Sequence, residues 1–177
     1  MRARSVTPFR SPAPELIHGL KYQGWISLAA FMGERMVRLA RLEDWGGLPG
    51  VVVPVPTTSR RLRERGFNPA RLLAEAVSRG LDLPVADGLS RPREGPSQVG
   101  LPPSERTANV RGAFVPNGAL SGALIHQHVL LVDDVLTTGA TGAEAARAAG
   151  ECGARTVSLV TFARALPQDP DSGGHPF

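Results

Sequence analysis

A chain of 177 residues, 42% of them hydrophobic, is long enough for one domain with a substantial core and too apolar to stay disordered. Its one cysteine, Cys152, excludes an internal disulfide and a cysteine zinc cluster, and no apolar run approaches the roughly 20 residues that cross a bilayer. The formal charge is +4, and apart from Lys21 every one of the 20 basic residues is arginine, a side chain suited to two-pronged phosphate contacts.

Residues 1–14 hold three prolines and are expected to form a flexible arm. In residues 15–22, Leu16, Ile17 and Leu20 fall on one side of a short helix, and a longer helix is expected over 26–42. The breaker "GGLPG" is followed by "VVVPVP", read as a buried strand with Pro54 and Pro56 at its end, where lost ladder bonds cost less. "TTSRRLRERGF" reads as a basic loop. Asn68 then caps a helix with Pro69 at its first position; Leu72, Leu73, Ala76 and Val77 give its apolar face, and it stops near Gly80. A weak strand is expected over 83–89. Residues 91–104, "RPREGPSQVGLPPS", form a long loop, of the kind that inside a compact domain is usually functional. Ser104 is placed to cap a short helix bearing Arg106 and Asn109. "GAFVP" reads as a strand and "GALSGALIHQH" as a connection. A strand at 129–132, a helix over 141–152 and the strand "RTVSLVTFA" follow, with a disordered tail expected from 166 to 177. Strands alternating with helices imply an α/β fold with a mostly parallel sheet, on which ligands bind beyond the carboxyl ends of the strands.

The most informative stretch is "HVLLVDDVLTTGAT", residues 128–141. Val129, Leu130, Leu131 and Val132 read as a strand buried on both faces. Two carboxylates, Asp133 and Asp134, follow, and then a hydroxyl-rich loop that runs into a helix. Unpaired N–H groups at a helix N-terminus bind phosphate. Thr137, Thr138 and Thr141 add hydroxyl donors, and Gly139 lets the backbone come close. The acids would repel a phosphate, so they suit sugar hydroxyls or Mg²⁺ held through water. A nucleotide hydrolase would need a Gly-Lys phosphate loop, but Leu20 precedes the only lysine. A receiver-like acidic pocket would not need the threonine loop. An ordinary helix cap needs one such residue, not five.

This motif resembles the phosphoribosyl-pyrophosphate (PRPP) motif of type I phosphoribosyltransferases. With "LIHGLKY", "VPVP…RRLRERGFN" and "QVGL…ER…NVRGAF" in this order, the chain is similar over about residues 15–165 to the ComF family, phosphoribosyltransferase-like proteins linked to DNA uptake in competent bacteria. "GFNP" stands where the family more usually has "GFNQ". Many members begin with a four-cysteine zinc ribbon, and this chain is expected to be a short form without it. The resemblance implies a type I phosphoribosyltransferase core, a mostly parallel sheet flanked by helices, with a mobile lid. It implies that Asp133 and Asp134 hold the ribose hydroxyls, that Thr137, Thr138, Gly139, Ala140 and Thr141 wrap the 5′-phosphate, and that Arg60, Arg61 and Arg65 meet the pyrophosphate. By charge alone those arginines read equally well as a solvated basic loop. The lid candidates are Gln98, Arg106 and Asn109, which would keep water from an oxocarbenium-like centre. No general base is named.

Among the remaining residues, Lys21 and Tyr22 match the family's "LKY" and suggest a lip of the site. His126 and His128 read as a surface turn, His18 as structural, and Trp25 and Trp45 as core or hinge residues. Two functions follow. The first is an enzyme that binds PRPP with Mg²⁺ as cofactor, no metal being bound directly by side chains, and transfers phosphoribosyl to an acceptor. The second is a non-catalytic protein that assists uptake or processing of single-stranded DNA, with DNA or competence proteins as partners. No membrane insertion is expected, and a cytoplasmic location follows by default.

Overall fold

The structure is a computed structural model and describes residues 1–92 and 112–165. Its centre is a four-stranded, all-parallel sheet in the order β1-β6-β5-β2. The strands are β1 (Arg2–Pro8), β2 (Val51–Pro54), β5 (His128–Leu136) and β6 (Thr156–Arg164). A small antiparallel pair, β3 (Leu89–Ser90) and β4 (Val115–Pro116), stands apart. Five α-helices are described: α1 (Ala13–Tyr22), α2 (Leu28–Leu42), α3 (Ser59–Arg65), α4 (Pro69–Leu81) and α5 (Ala140–Glu151). A 3₁₀ segment, Gly118–Leu124, leads into β5.

Strand residues alternate between two cores because successive side chains point to opposite faces. Val52, Leu130, Val132, Val160 and Phe162 pack under α1, α2 and α4, against Leu20, Met32, Met36, Leu73 and Val77. Val51, Val53, Val129, Leu131 and Leu159 pack on the other face, with Phe114, Leu124 and the alanines of α5. The near-continuous apolar runs of β2 and β5 follow from this two-sided burial. No described helix is long and apolar enough to cross a membrane.

Asn68 caps α4 as its sequence implied: its side chain accepts from the Ala70 N–H at 3.2 Å and donates to the Val55 carbonyl at 3.1 Å. Four expectations change. The flexible arm instead contains β1, an edge strand that pairs with β6 from Arg2 to Pro8. Its arginines hid it: Arg4 turns outward to Glu43 at 2.7 Å, while Ala3 and Val6 pack against the two cores. The basic loop is largely helix α3, capped by Thr58, whose hydroxyl accepts from the Arg61 N–H, and ended at Gly66. The predicted strand at 129–132 runs on to Leu136 and includes both carboxylates. His128 is no surface residue: it is buried at the start of β5, with Nδ1 3.0 Å from the Gly47 carbonyl and Nε2 3.0 Å from the Ser158 hydroxyl. Burial lowers its pKa. Trp45 is a core residue, its indole N–H donating to the Ala40 carbonyl at 2.8 Å, whereas Trp25 is exposed. Gln98, Arg106, Asn109 and the tail lie outside the described residues.

Helices α2 and α4 cover the face beneath which Asp134 lies, and they meet closely. A Cβ on Gly33 would stand 2.4 Å from the Ala76 methyl. Gly33→Leu is therefore expected to force the pair apart and cost about 1–3 kcal/mol, read as a lower denaturant midpoint. Ala30→Leu, on the exposed side of α2, is expected to stay within about 0.5 kcal/mol of the parent.

Candidate functional site

The parallel pairing of β2 with β5, Pro54 opposite Val132, brings the ends of both strands to one edge of the sheet. The β2 end feeds α3 and its arginines. The β5 end carries the carboxylates and feeds α5. Such an edge is where ligands bind on open α/β sheets.

The two carboxylates do not lie side by side. They are neighbours within a strand, so alternation sends them to opposite faces. Asp134 continues the Leu130–Val132 series, is 7% exposed, and forms an ion pair with Lys21 of α1 at 2.7 Å. Asp133 continues the series of Leu131 and is partly exposed. Its Oδ1 accepts from the Asp134 N–H at 2.9 Å. Burial, and then the negative charge of Asp134, push its pKa up to about 7; Lys21, that N–H and Arg91 act in the opposite direction.

The loop after β5 has the shape its composition implied. Gly139 adopts φ +84° directly before α5, a conformation that side chains disfavour. Thr137 and Thr138 are exposed, and the Thr138 hydroxyl lies 3.4 Å from the Ala140 N–H. Gly139 offers no side-chain cap, and apart from the long Thr138 contact no side chain meets the first-turn N–H groups of α5 among the described residues, so the others point towards the loop. Thr137, Thr138, Gly139, Ala140 and Thr141 are thus brought together at one helix N-terminus.

The three arginines expected to meet one anion take different settings. Arg65 donates to the Tyr22 hydroxyl at 2.9 Å and stacks 4.7 Å from the centre of that ring. Arg60 sits beside Glu64 at 3.5 Å. Arg61 is near Arg91, where the like charges oppose one another. Arg91 went unnoticed in the sequence. It follows the two-residue β3, too short to show as a pattern, and its surroundings are set by distant segments. Its guanidinium lies 5.1 Å from the ring centre of buried Phe114, and its Nε is buried without a hydrogen-bond partner among the described residues. Burial, then Arg61, weakens its hold on its proton, and Asp133 strengthens it. A buried donor without a partner costs about 1–3 kcal/mol, a cost that a bound anion would relieve.

The model of the phosphoribosyl transferase domain family matches residues 68–173. The DNA utilization protein YhgH of Salmonella typhi is 32% identical over 169 residues, covering 93% of this chain and 73% of that protein. Competence protein F of Haemophilus influenzae is 33% identical over 159 residues, covering 87% and 69%. The chain belongs to the ComF family of phosphoribosyl transferase domains. Its sheet also resembles the glutamine PRPP amidotransferase of B. subtilis complexed with ADP and GMP, with a TM-score of 0.50 at 18% identity. That match covers 76% of this chain and 26% of the amidotransferase, and the likeness is one of fold. In this ComF-family chain, the type I phosphoribosyltransferase fold joins strand, acids and threonine-rich loop into one continuous segment.

Between about pH 4 and 7 the folded protein keeps a proton on Asp133 that the unfolded chain has released. Stability from this group is therefore fully present below about pH 4 and lost as pH rises towards 7. Asp133→Asn, which keeps an acceptor for the Asp134 N–H, should remove this dependence. Above pH 7 the variant is expected to exceed the parent by on the order of a few kcal/mol, and the gap should close near pH 4. Thermal melts of both proteins across that range read the difference.

Proposed function

We propose that the protein binds PRPP with Mg²⁺ and transfers phosphoribosyl to an acceptor, releasing pyrophosphate. The observation that carries this reading is the juxtaposition of Asp133 and Asp134 with the Gly139 turn and the largely open N-terminus of α5. In this reading the 5′-phosphate lies on the N–H groups and hydroxyls of residues 137–141. Asp133 accepts from the ribose hydroxyls, and Asp134, tied to Lys21 on the opposite face, holds that end of the strand in place. Arg61, with Arg91 beside it, faces the pyrophosphate, and Arg60 supplements them; these charges stabilise the departing group. Arg65 would first have to leave Tyr22.

The residues present fit a magnesium ion that arrives with the substrate. No group of three or more His, Cys, Asp or Glu gathers among the described residues, and Mg²⁺ is commonly held by one or two carboxylates, waters and substrate phosphates. When bound, the ion would neutralise charge on the leaving pyrophosphate, with Asp133 the carboxylate available to it through water.

A second reading has its own support. Arg60, Arg61 and Arg63 project from α3 into solvent, and the relatives are named for DNA utilization and competence. A non-catalytic protein that handles single-stranded DNA would use those charges on the phosphate backbone, with steep salt dependence.

Asp133→Asn combined with Asp134→Asn tests the first reading. Hydrogen bonds to charged groups contribute about 1.5–3 kcal/mol each, so PRPP affinity by calorimetry with Mg²⁺ is expected to fall at least about tenfold. Single-strand affinity should hold or tighten as negative charge leaves the surface. Unchanged PRPP affinity refutes the ribose assignment. Pyrophosphate release from PRPP across a panel of bases and amines separates turnover from binding alone.

A further inference from the structure

Three of the four exposed aromatic side chains among the described residues line one groove: Phe9, Tyr22 and Trp25, at 42%, 62% and 54% exposure. A large, open aromatic cluster on a small domain marks a contact surface. The groove has a volume of about 650 Å³, within the range of sites for small ligands. Its floor includes Val135, the residue after Asp134, and its wall includes Lys21, which binds Asp134. The groove therefore adjoins the Lys21–Asp134 pair.

The rings are held in place by the backbone around them. Gly24, at φ +68°, turns the chain after α1. The Trp25 N–H then bonds to the Gly19 carbonyl at 3.2 Å. The indole lies against α1 because Gly19 has no side chain; a Cβ there would stand 2.4 Å from Trp25 Cε3. One part of the indole is thus packed and the rest is open. Tyr22 is held between His18, with ring centres 5.1 Å apart, and the Arg65 guanidinium. Glu15, His18 and Gln23 supply acceptors and donors along the same groove. Arg65 sits on Tyr22 at its side, and exposed Arg10 follows Phe9 in the chain. Among the described lining residues Glu15 is the one carboxylate, suited to a ring N–H or an exocyclic amine of a base and not to a phosphate.

We infer that this groove takes an unstacked base of a single-stranded nucleic acid, with Trp25 as the stacking surface and the flanking arginines tracking the backbone. Aromatic stacking beside a cationic track is how single strands are bound without regard to sequence. A duplex keeps its bases stacked and offers no free ring face. A free base would gain nothing from the flanking cations. The inference rests on the second reading above, and it places the strand next to the residues proposed to hold ribose.

The test uses fluorescence anisotropy of a labelled oligothymidylate with the full chain, at low and moderate salt. Trp25→Ala and Tyr22→Ala are each expected to weaken binding about tenfold, or about 1.4 kcal/mol. Trp25→Phe should keep most of the affinity, which separates a missing ring from a damaged fold. An abasic strand of equal length should bind at least about tenfold more weakly than the thymidylate. PRPP affinity, measured alongside, should be unchanged in the Trp25 variants. If the parent binds no single strand, the second reading itself fails. If it binds but both alanine variants bind equally well, or the abasic strand binds equally, the groove assignment is overturned. Free thymidine competing as tightly as the strand would overturn the commitment to a strand.

Discussion

Two adjacent carboxylates at the end of an inner strand govern how the surrounding elements are placed. A strand buried on both faces offers no water to a charged side chain, and desolvation of an unpaired ion is costly. The molecule deals with the two charges differently. Asp134, on the face covered by three helices, meets the ammonium of Lys21 at 2.7 Å. Asp133, on the other face, has Arg91 within electrostatic reach and holds a proton unusually well. Helix α1 must therefore sit where Lys21 can reach over the sheet edge, and the segment after β3 must return towards β5.

That asymmetry also bears on chemistry. A carboxylate held by a lysine is a fixed negative charge, while one that titrates near neutrality responds to what arrives. The arginines are divided in the same way. Arg65 is occupied by Tyr22, whereas Arg91 has a buried donor with no partner among the described residues. The site thus contains both settled and unsettled charges, and the unsettled ones lie on the side of Asp133 and Arg61.

The sequence carried the central motif well because its local pattern and tertiary role coincide. Four apolar residues need two-sided cover, and Gly139 needs its turn whatever surrounds it. Asn68 and Pro69 likewise declare the start of α4 without outside help. The features that escaped are those whose cause lies elsewhere in the chain. Helix α3 has one aliphatic residue, Leu62, so no periodicity reveals it; its caps and an Arg60–Glu64 pair sustain it. Strand β1 alternates arginine with small residues, and only β6 makes it a strand. The opposed facing of Asp133 and Asp134 depended on β5 extending to Leu136, which apolar patterning could not show. The setting of Arg91 is tertiary throughout.

The partnership of β1 with β6 has a consequence for how the chain reaches this state. Ser5 and Thr161 share a hydrogen bond at 2.7 Å across 156 positions of sequence. Pairing so distant delays its own reward, since the entropy of closing a long loop is lost before the contact forms. During synthesis, residues 2–8 emerge before the other described elements of this domain yet have no strand to join until β6 follows. Residues 28–136 can meanwhile assemble β2, β5 and the helices between them. The earliest strand of the domain is thus among the last elements to find its place, and the edge of the sheet closes only once β6 has formed.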